Sequence, residues 1–226
     1  MATAATGLAP STSRPRPPVG TESRGFDFAP LVGHEGWQRL APDIRLRFSE
    51  KPHGSDPVRY IGFMQRIECS WPGWLLAQLC RMIGTPFAPW RGTDVLVAIV
   101  LRTGATPDEV IWDREYHYSN SRPNLVRSVK RIAADGELLE CVGGGFGMRL
   151  TVYEAGRALH FRSLRYFWRC GRWLLPLPDL LSPGEAHVVH QDLGEGRFRF
   201  AMTIRHKLLG ALFHQEGVFH REESSK

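Results

Sequence analysis

The sequence predicts a β-dominated α+β domain. The expected core is a curved or barrel-like antiparallel sheet of about nine strands, with one or two short N-terminal helices and one helix near residues 71–84. Three observations predict it. From Thr93 onward apolar and polar residues alternate with period two, as strands with one buried face do. Turn chemistry punctuates that alternation, as at Asp135-Gly136 and Gly194-Glu195-Gly196. "WPGWLLAQLCRMIG" (71–84) has the best helical flanks, with Pro72 in the first turn and Gly84 and Pro86 to stop it.

Taken in order, residues 1–25 are Ala, Ser, Thr, Pro and Gly with almost no large apolar side chains. Such a segment buries too little to offset its ordering entropy, so it is expected to be a disordered tail. It also lacks the ~7–15-residue apolar core of a secretory signal. Residues 26–221 read as one β-rich domain and 222–226 as a polar C-terminal tail. A domain of ~200 residues buries roughly 70% of its unfolded surface, so no metal or disulfide staple is needed. "FAPLVGHEGWQRLAPDIRLRF" spaces Leu31, Trp37, Leu40, Ile44 and Leu46 like short helices broken at Pro42. Strands follow at 57–68, 94–102 and 110–118. "LVRSVKRI" and "ELLECV" form a hairpin through Asp135-Gly136. In 146–153, Phe146, Met148, Leu150 and Val152 share a face; in "RFRFAMTIRH", Phe198, Phe200, Met202 and Ile204 do.

Charge and cysteine content narrow the class. The formal charge is +6, but the arginines are scattered among strands and mixed with carboxylates, whereas nucleic-acid binding needs a clustered basic face. Nucleic acid is therefore not an expected partner. The four cysteines show no CxxC spacing and read as reduced thiols of a soluble cytoplasmic protein. No apolar run approaches the ~20 residues of a membrane span. Catalytic and cofactor motifs fail on inspection. "HEGWQ" (34–38) has Gln38 where HExxH needs a second histidine. "VGGGFGM" (142–148) completes no GxGxxG frame and precedes a strand. His187 and His190 differ by an odd number, so a strand points them to opposite faces. No cofactor and no metal is assigned.

The informative residues are polar groups on faces that alternation assigns to the interior. Arg114 lies between Trp112 and Tyr116 on one face, and Glu140 lies between Leu138 and Val142. His206 ends the face of Phe198 through Ile204, and His214 and Glu216 share a side with Leu212 and Val218. An unpaired buried charge costs several kcal/mol, so each needs a partner, a ligand or water. An internal ion pair, Arg114 with Glu140 or Glu216, is one account. The other is a cup whose apolar lining carries a few convergent polar groups. That cup would bind an apolar or mixed small molecule through Trp112, Arg114, Tyr116, Glu140, Met148, His206, His214 and Glu216. A lyase, isomerase or cyclase using Glu140, Glu216 or His214 for proton transfer is an alternative. A pocketless module docking on a dehydrogenase is another, as is a face exposed to solvent.

With "IWDREY", "LLECVGGGFGM", "RSLRYFWRCGRWLLPLPDLLSPG", "DLGEGRFRF" and "LFHQEGVFH" in hand, the chain from about Phe26 to Arg221 resembles an uncharacterised bacterial domain family. Members of that family are often fused C-terminal to saccharopine-dehydrogenase-like or other NAD(P)-dependent oxidoreductases. The resemblance implies an oxidoreductase partner or a hydrophobic substrate and assigns no cofactor. The proline-rich part of the third piece, with Pro176, Pro178 and Pro183, cannot be a central strand. It reads as a crossover whose leucines cover an open end of the sheet, either as a plug or as a lid. Its apolar run is short and kinked, which makes membrane docking the least favoured of the three readings.

Overall fold

Among the described residues, eleven antiparallel strands make one sheet, and ten of them close into a barrel. The computed structural model describes residues 26–52, 56–81, 90–119 and 121–222. The first three strands are β1 (Val58–Cys69), β2 (Val95–Thr103) and β3 (Glu109–His117). They are followed by β4 (Asn124–Ile132), β5 (Leu138–Cys141), β6 (Phe146–Ala155) and β7 (Ala158–Cys170). The last four are β8 (Trp173–Pro176), β9 (Glu185–Gly194), β10 (Arg197–His206) and β11 (Gly210–Arg221). Around the barrel the order is β6-β5-β4-β3-β2-β1-β11-β10-β9-β7, and β6–β7 pairing completes the ring. The β-dominated class holds, with more strands than the nine expected. One addition is β8, a four-residue outer strand on β7 drawn from the proline-rich segment. It lies outside the barrel, where a strand tolerates a residue with no N–H.

Closure depends on the seam between the first and last strands. β1 and β11 pair from Tyr60 opposite Arg221 to Cys69 opposite Phe213, with a bulge between Met64 and Arg66. Bulges bend and twist a strand, which closure requires. Gly217 sits at this seam, where a β-carbon would lie 2.3 Å from the Phe63 carbonyl oxygen. Only the smallest residue permits that approach. The hairpin expected at Asp135-Gly136 forms, and Gly136 adopts φ +85°.

The N-terminal segment folds into α1 (Ala29–Val32), α2 (His34–Arg39) and α3 (Pro42–Ser49). Pro42 lies in the first turn of α3, so it separates two helices and starts the second. Phe48 at the end of α3 enters one end of the barrel. Its ring centroid lies 5.1 Å from that of His190, 5.8 Å from Phe161 and 6.5 Å from Trp112. The opposite end is covered by α4 (Trp71–Arg81), which follows directly from β1, and by the 177–184 crossover. The expected stop of α4 at Gly84 and Pro86, the 1–25 tail and residues 223–226 lie outside the described residues.

Candidate functional site

Strand parity fills the barrel from the plugged end upward. Phe161, Trp112 and His190 form the lowest layer, above Phe48. Arg114, Ser128, Lys130 and Glu140 make a polar floor over it. Above that floor lies a mainly apolar cavity of about 190 Å³, walled by Val126, Met148, Leu150, Val188, Met202 and Phe213. Leu76 and Cys80 of α4 border its mouth with Leu177, Leu181 and Pro183 of the crossover. The crossover thus covers the open end of the sheet, as its leucines suggest.

The floor is an unequal charge cluster. Lys130 Nζ lies 2.8 Å from Glu140 Oε1, and Arg114 Nη2 lies 3.5 Å from the same oxygen. Arg114 Nη1 also donates to Ser128 Oγ at 3.3 Å. Burial alone would raise the Glu140 carboxyl pKa. The attraction of Lys130 and Arg114, with hydrogen bonds from Lys130 and Ser128, overcomes that and lowers it to about 2. Burial pulls Lys130 below its usual range, and the Glu140 carboxylate only partly offsets the effect. The ammonium also sits 4.7 Å from the Trp112 ring, within cation–π range. Two cations therefore face one carboxylate, and Lys130 holds it more closely.

Beneath the floor, Arg47 is enclosed, 3.4 Å from the Phe198 ring centroid, and its Nη1 donates to His190 Nδ1 at 2.8 Å. A guanidinium only donates, so Nδ1 accepts and the neutral imidazole carries its proton on Nε2. Burial first, then repulsion from Arg47, Lys130 and Arg114, holds His190 well below the usual imidazole range. Burial likewise lowers Arg47 to about 10.

Residues 40–219 match the protein family DUF4166, described as a domain of unknown function. The chain belongs to this family. The DUF4166 match contains all eleven strands except the last residues of β11, so the whole polar floor lies inside it. The N-terminal rings Phe26 and Phe28 precede it. No curated protein matches the chain.

The residues singled out in the sequence divide three ways. Trp112, Arg114, Tyr116, Glu140 and Met148 converge on the cavity. Tyr116 there donates its hydroxyl to Gln215 Oε1 at 3.1 Å. His206 is buried but stands at the mouth end of β10, where its Nδ1 accepts the backbone N–H groups of Leu208 and Leu209. It caps the β10–β11 turn and borders an outer groove rather than the cavity. His214 and Glu216 lie on the outer surface, which corrects their inward assignment. His214 pairs with Thr203, and Glu216 pairs with Arg199. On β11 the inward residues are Phe213, Gln215, Gly217 and Phe219. Leu212 misled the parity because it is buried under α4 on the outside.

Lys130, Ser128, Gln215, His190 and Arg47 escaped the sequence reading. For Lys130 and Ser128 the signal was present, since both alternate with Val126 in "LVRSVKRI". For β11, the face with Phe213 and Phe219 buries an amide, whereas the face chosen would bury a histidine and a carboxylate. The lower desolvation cost favours the first. Arg47 carried no signal, because no local pattern encloses an arginine of a short helix among aromatic rings.

Proposed function

We propose that the barrel binds a small amphipathic molecule, with its apolar body in the cavity and an anionic or strongly accepting head at Arg114. The observation that carries this reading is the charge imbalance of the floor. Glu140 is engaged by Lys130, which leaves the Arg114 guanidinium with one hydroxyl and a longer contact beneath an apolar cavity. A ligand carboxylate would supply charge-assisted hydrogen bonds worth roughly 1.5–3 kcal/mol there. At about 190 Å³ the cavity is below the ~300–1,000 Å³ of drug-sized pockets, so the guest is short or reaches out through the mouth.

Titration calorimetry with octanoate and 1-octanol tests this. Octanoate should bind roughly 10-fold or more tighter than the alcohol, and Arg114→Met should remove the difference while the Lys130–Glu140 pair keeps the fold. Equal affinities in the unmodified chain, or no binding of either probe, would sink the reading. Proton-transfer chemistry has less support. A carboxyl at about pKa 2 is a weak base at neutral pH, and His214 and Glu216 face away from the cavity. Service to an NAD(P)-dependent oxidoreductase rests on the resemblance alone.

A further inference from the structure

The rim around the cavity mouth is built from four segments that the chain separates and the fold joins. Gly73 seats α4 on β11, where a β-carbon would lie 2.1 Å from the Leu212 carbonyl oxygen. The β10–β11 turn is tied to the crossover by Lys207 Nζ and Asp179 Oδ2 at 3.0 Å. Leu177 of the crossover in turn bonds to Tyr166 of β7, at the base of the β7–β8 hairpin.

This rim exposes apolar side chains in a way the rest of the surface does not. Ten of the sixteen exposed large hydrophobic residues, among those described, fall in 71–81, 165–184 and 205–210. α4 buries Gly73 and Ala77 and borders the cavity with Leu76 and Cys80, yet its opposite face exposes Trp71, Trp74, Leu75 and Leu79. The hairpin adds Trp168, Trp173 and Leu175, the crossover Leu181, and the turn Leu208 and Leu209. Soluble monomers rarely gather exposed apolar residues in this way without a partner for them.

The same spans also concentrate charge. They hold Arg81, Arg165, Arg169, Arg172, Arg205 and Lys207 against Asp179 alone, a net +5 of the chain's formal +6. Scattered along the sequence, these cations meet at one end of the barrel. The Arg172 guanidinium carbon lies 5.0 Å from the Trp173 ring centroid, so a cation and an indole sit together on the exposed hairpin.

We propose that the mouth end of the barrel docks on an anionic lipid bilayer, so that the guest passes between bilayer and cavity without crossing water. The docking partner follows from the two features together. Indoles and leucines enter the interface of headgroups and acyl chains, and arginines beside them meet anionic headgroups. A protein partner would satisfy the apolar residues, but it would not explain why they ring the opening of an apolar cavity. The proposal rests on the cavity holding an amphipathic guest, and the two can fail separately.

The test is co-sedimentation of the full chain with sucrose-loaded vesicles of phosphatidylcholine alone, or with about 30% phosphatidylserine. The chain should pellet at least about tenfold more strongly with the anionic vesicles. Trp74→Glu combined with Leu208→Glu should abolish pelleting and leave octanoate affinity unchanged. Arg114→Met should do the reverse. Arg169→Glu with Arg172→Glu, on the exposed hairpin, gives a second rim variant should the first fail to fold. A folded chain that ignores anionic vesicles overturns the docking proposal. So does a dimer, seen by size exclusion, that the rim substitutions dissolve while no vesicle binding is found. Pelleting without octanoate binding would retain the interface and remove the guest.

Discussion

Glu140 tolerates burial because two cations reach it, and His190 tolerates burial because it stays neutral. Both facts make stability depend on pH in a definite direction. His190 is depressed below its unfolded value of 6.5, so below that pH the unfolded chain takes up a proton that the folded chain refuses. Stability then falls with pH by up to about 1.4 kcal/mol per unit. Glu140 drops from 4.5 to about 2, so its contribution is complete above 4.5 and is lost as the pH falls from there toward 2. Urea denaturation of the unmodified chain should show a decline that begins near 6.5 and steepens below 4.5. His190→Gln keeps an acceptor for Arg47 but cannot titrate. It should flatten the upper part of the curve and leave the lower part in place. Identical profiles for the two proteins would mean that His190 takes up its proton in the folded barrel as readily as in the unfolded chain.

At the scale of elements, the position of α4 rests on a glycine. Gly73 is buried, and its α-carbon faces the Leu212 backbone so closely that any side chain must push the helix away. Gly73→Val is expected to cost about 1–3 kcal/mol, the range of an overpacked contact. Thermal melting would register that loss, and octanoate affinity would fall as the cavity loses Leu76 and Cys80 from its border. An unchanged melting temperature would show that α4 sits loosely on β11. The same contact explains the parity error on β11. Leu212 is apolar because of a helix outside the barrel, while alternation alone ascribes every apolar position to the inside. On β10 the outer face exposes Arg197, Arg199 and Arg205, and the alternation of Phe198, Phe200 and Ile204 was legible directly. On β3 and β5 Trp112 and Glu140 kept their inward phase although Asp113 and Leu139 are buried on the opposite face.

For the molecule as a whole, closure joins the first strand to the last. β1 lies between β2 and β11, so the first strand completes its hydrogen bonding only after the last has been made. Deleting residues from 207 onward removes β11 and opens edges on β1 and β10. The truncated chain should lose its cooperative melting transition and aggregate through those edges. A soluble truncated chain with the full melting transition would show that the seam is dispensable.

Sequence alone determined most of the strands, the Asp135-Gly136 hairpin and the inward phase of Arg114 and Glu140, because period-two alternation and turn chemistry are local properties of the chain. Tertiary structure alone decided the rest. Lys130 became the partner of Glu140 through the pairing of β4 with β5, and His214 and Glu216 went outward because β11 turns Phe213, Gln215 and Phe219 inward, with Leu212 covered from outside by α4. Cations spread over more than a hundred residues, from Arg81 to Lys207, met at one rim. A one-dimensional pattern states which side of a strand a residue occupies. Closing the barrel decides which residues from other strands it meets there, and which end of the barrel they share.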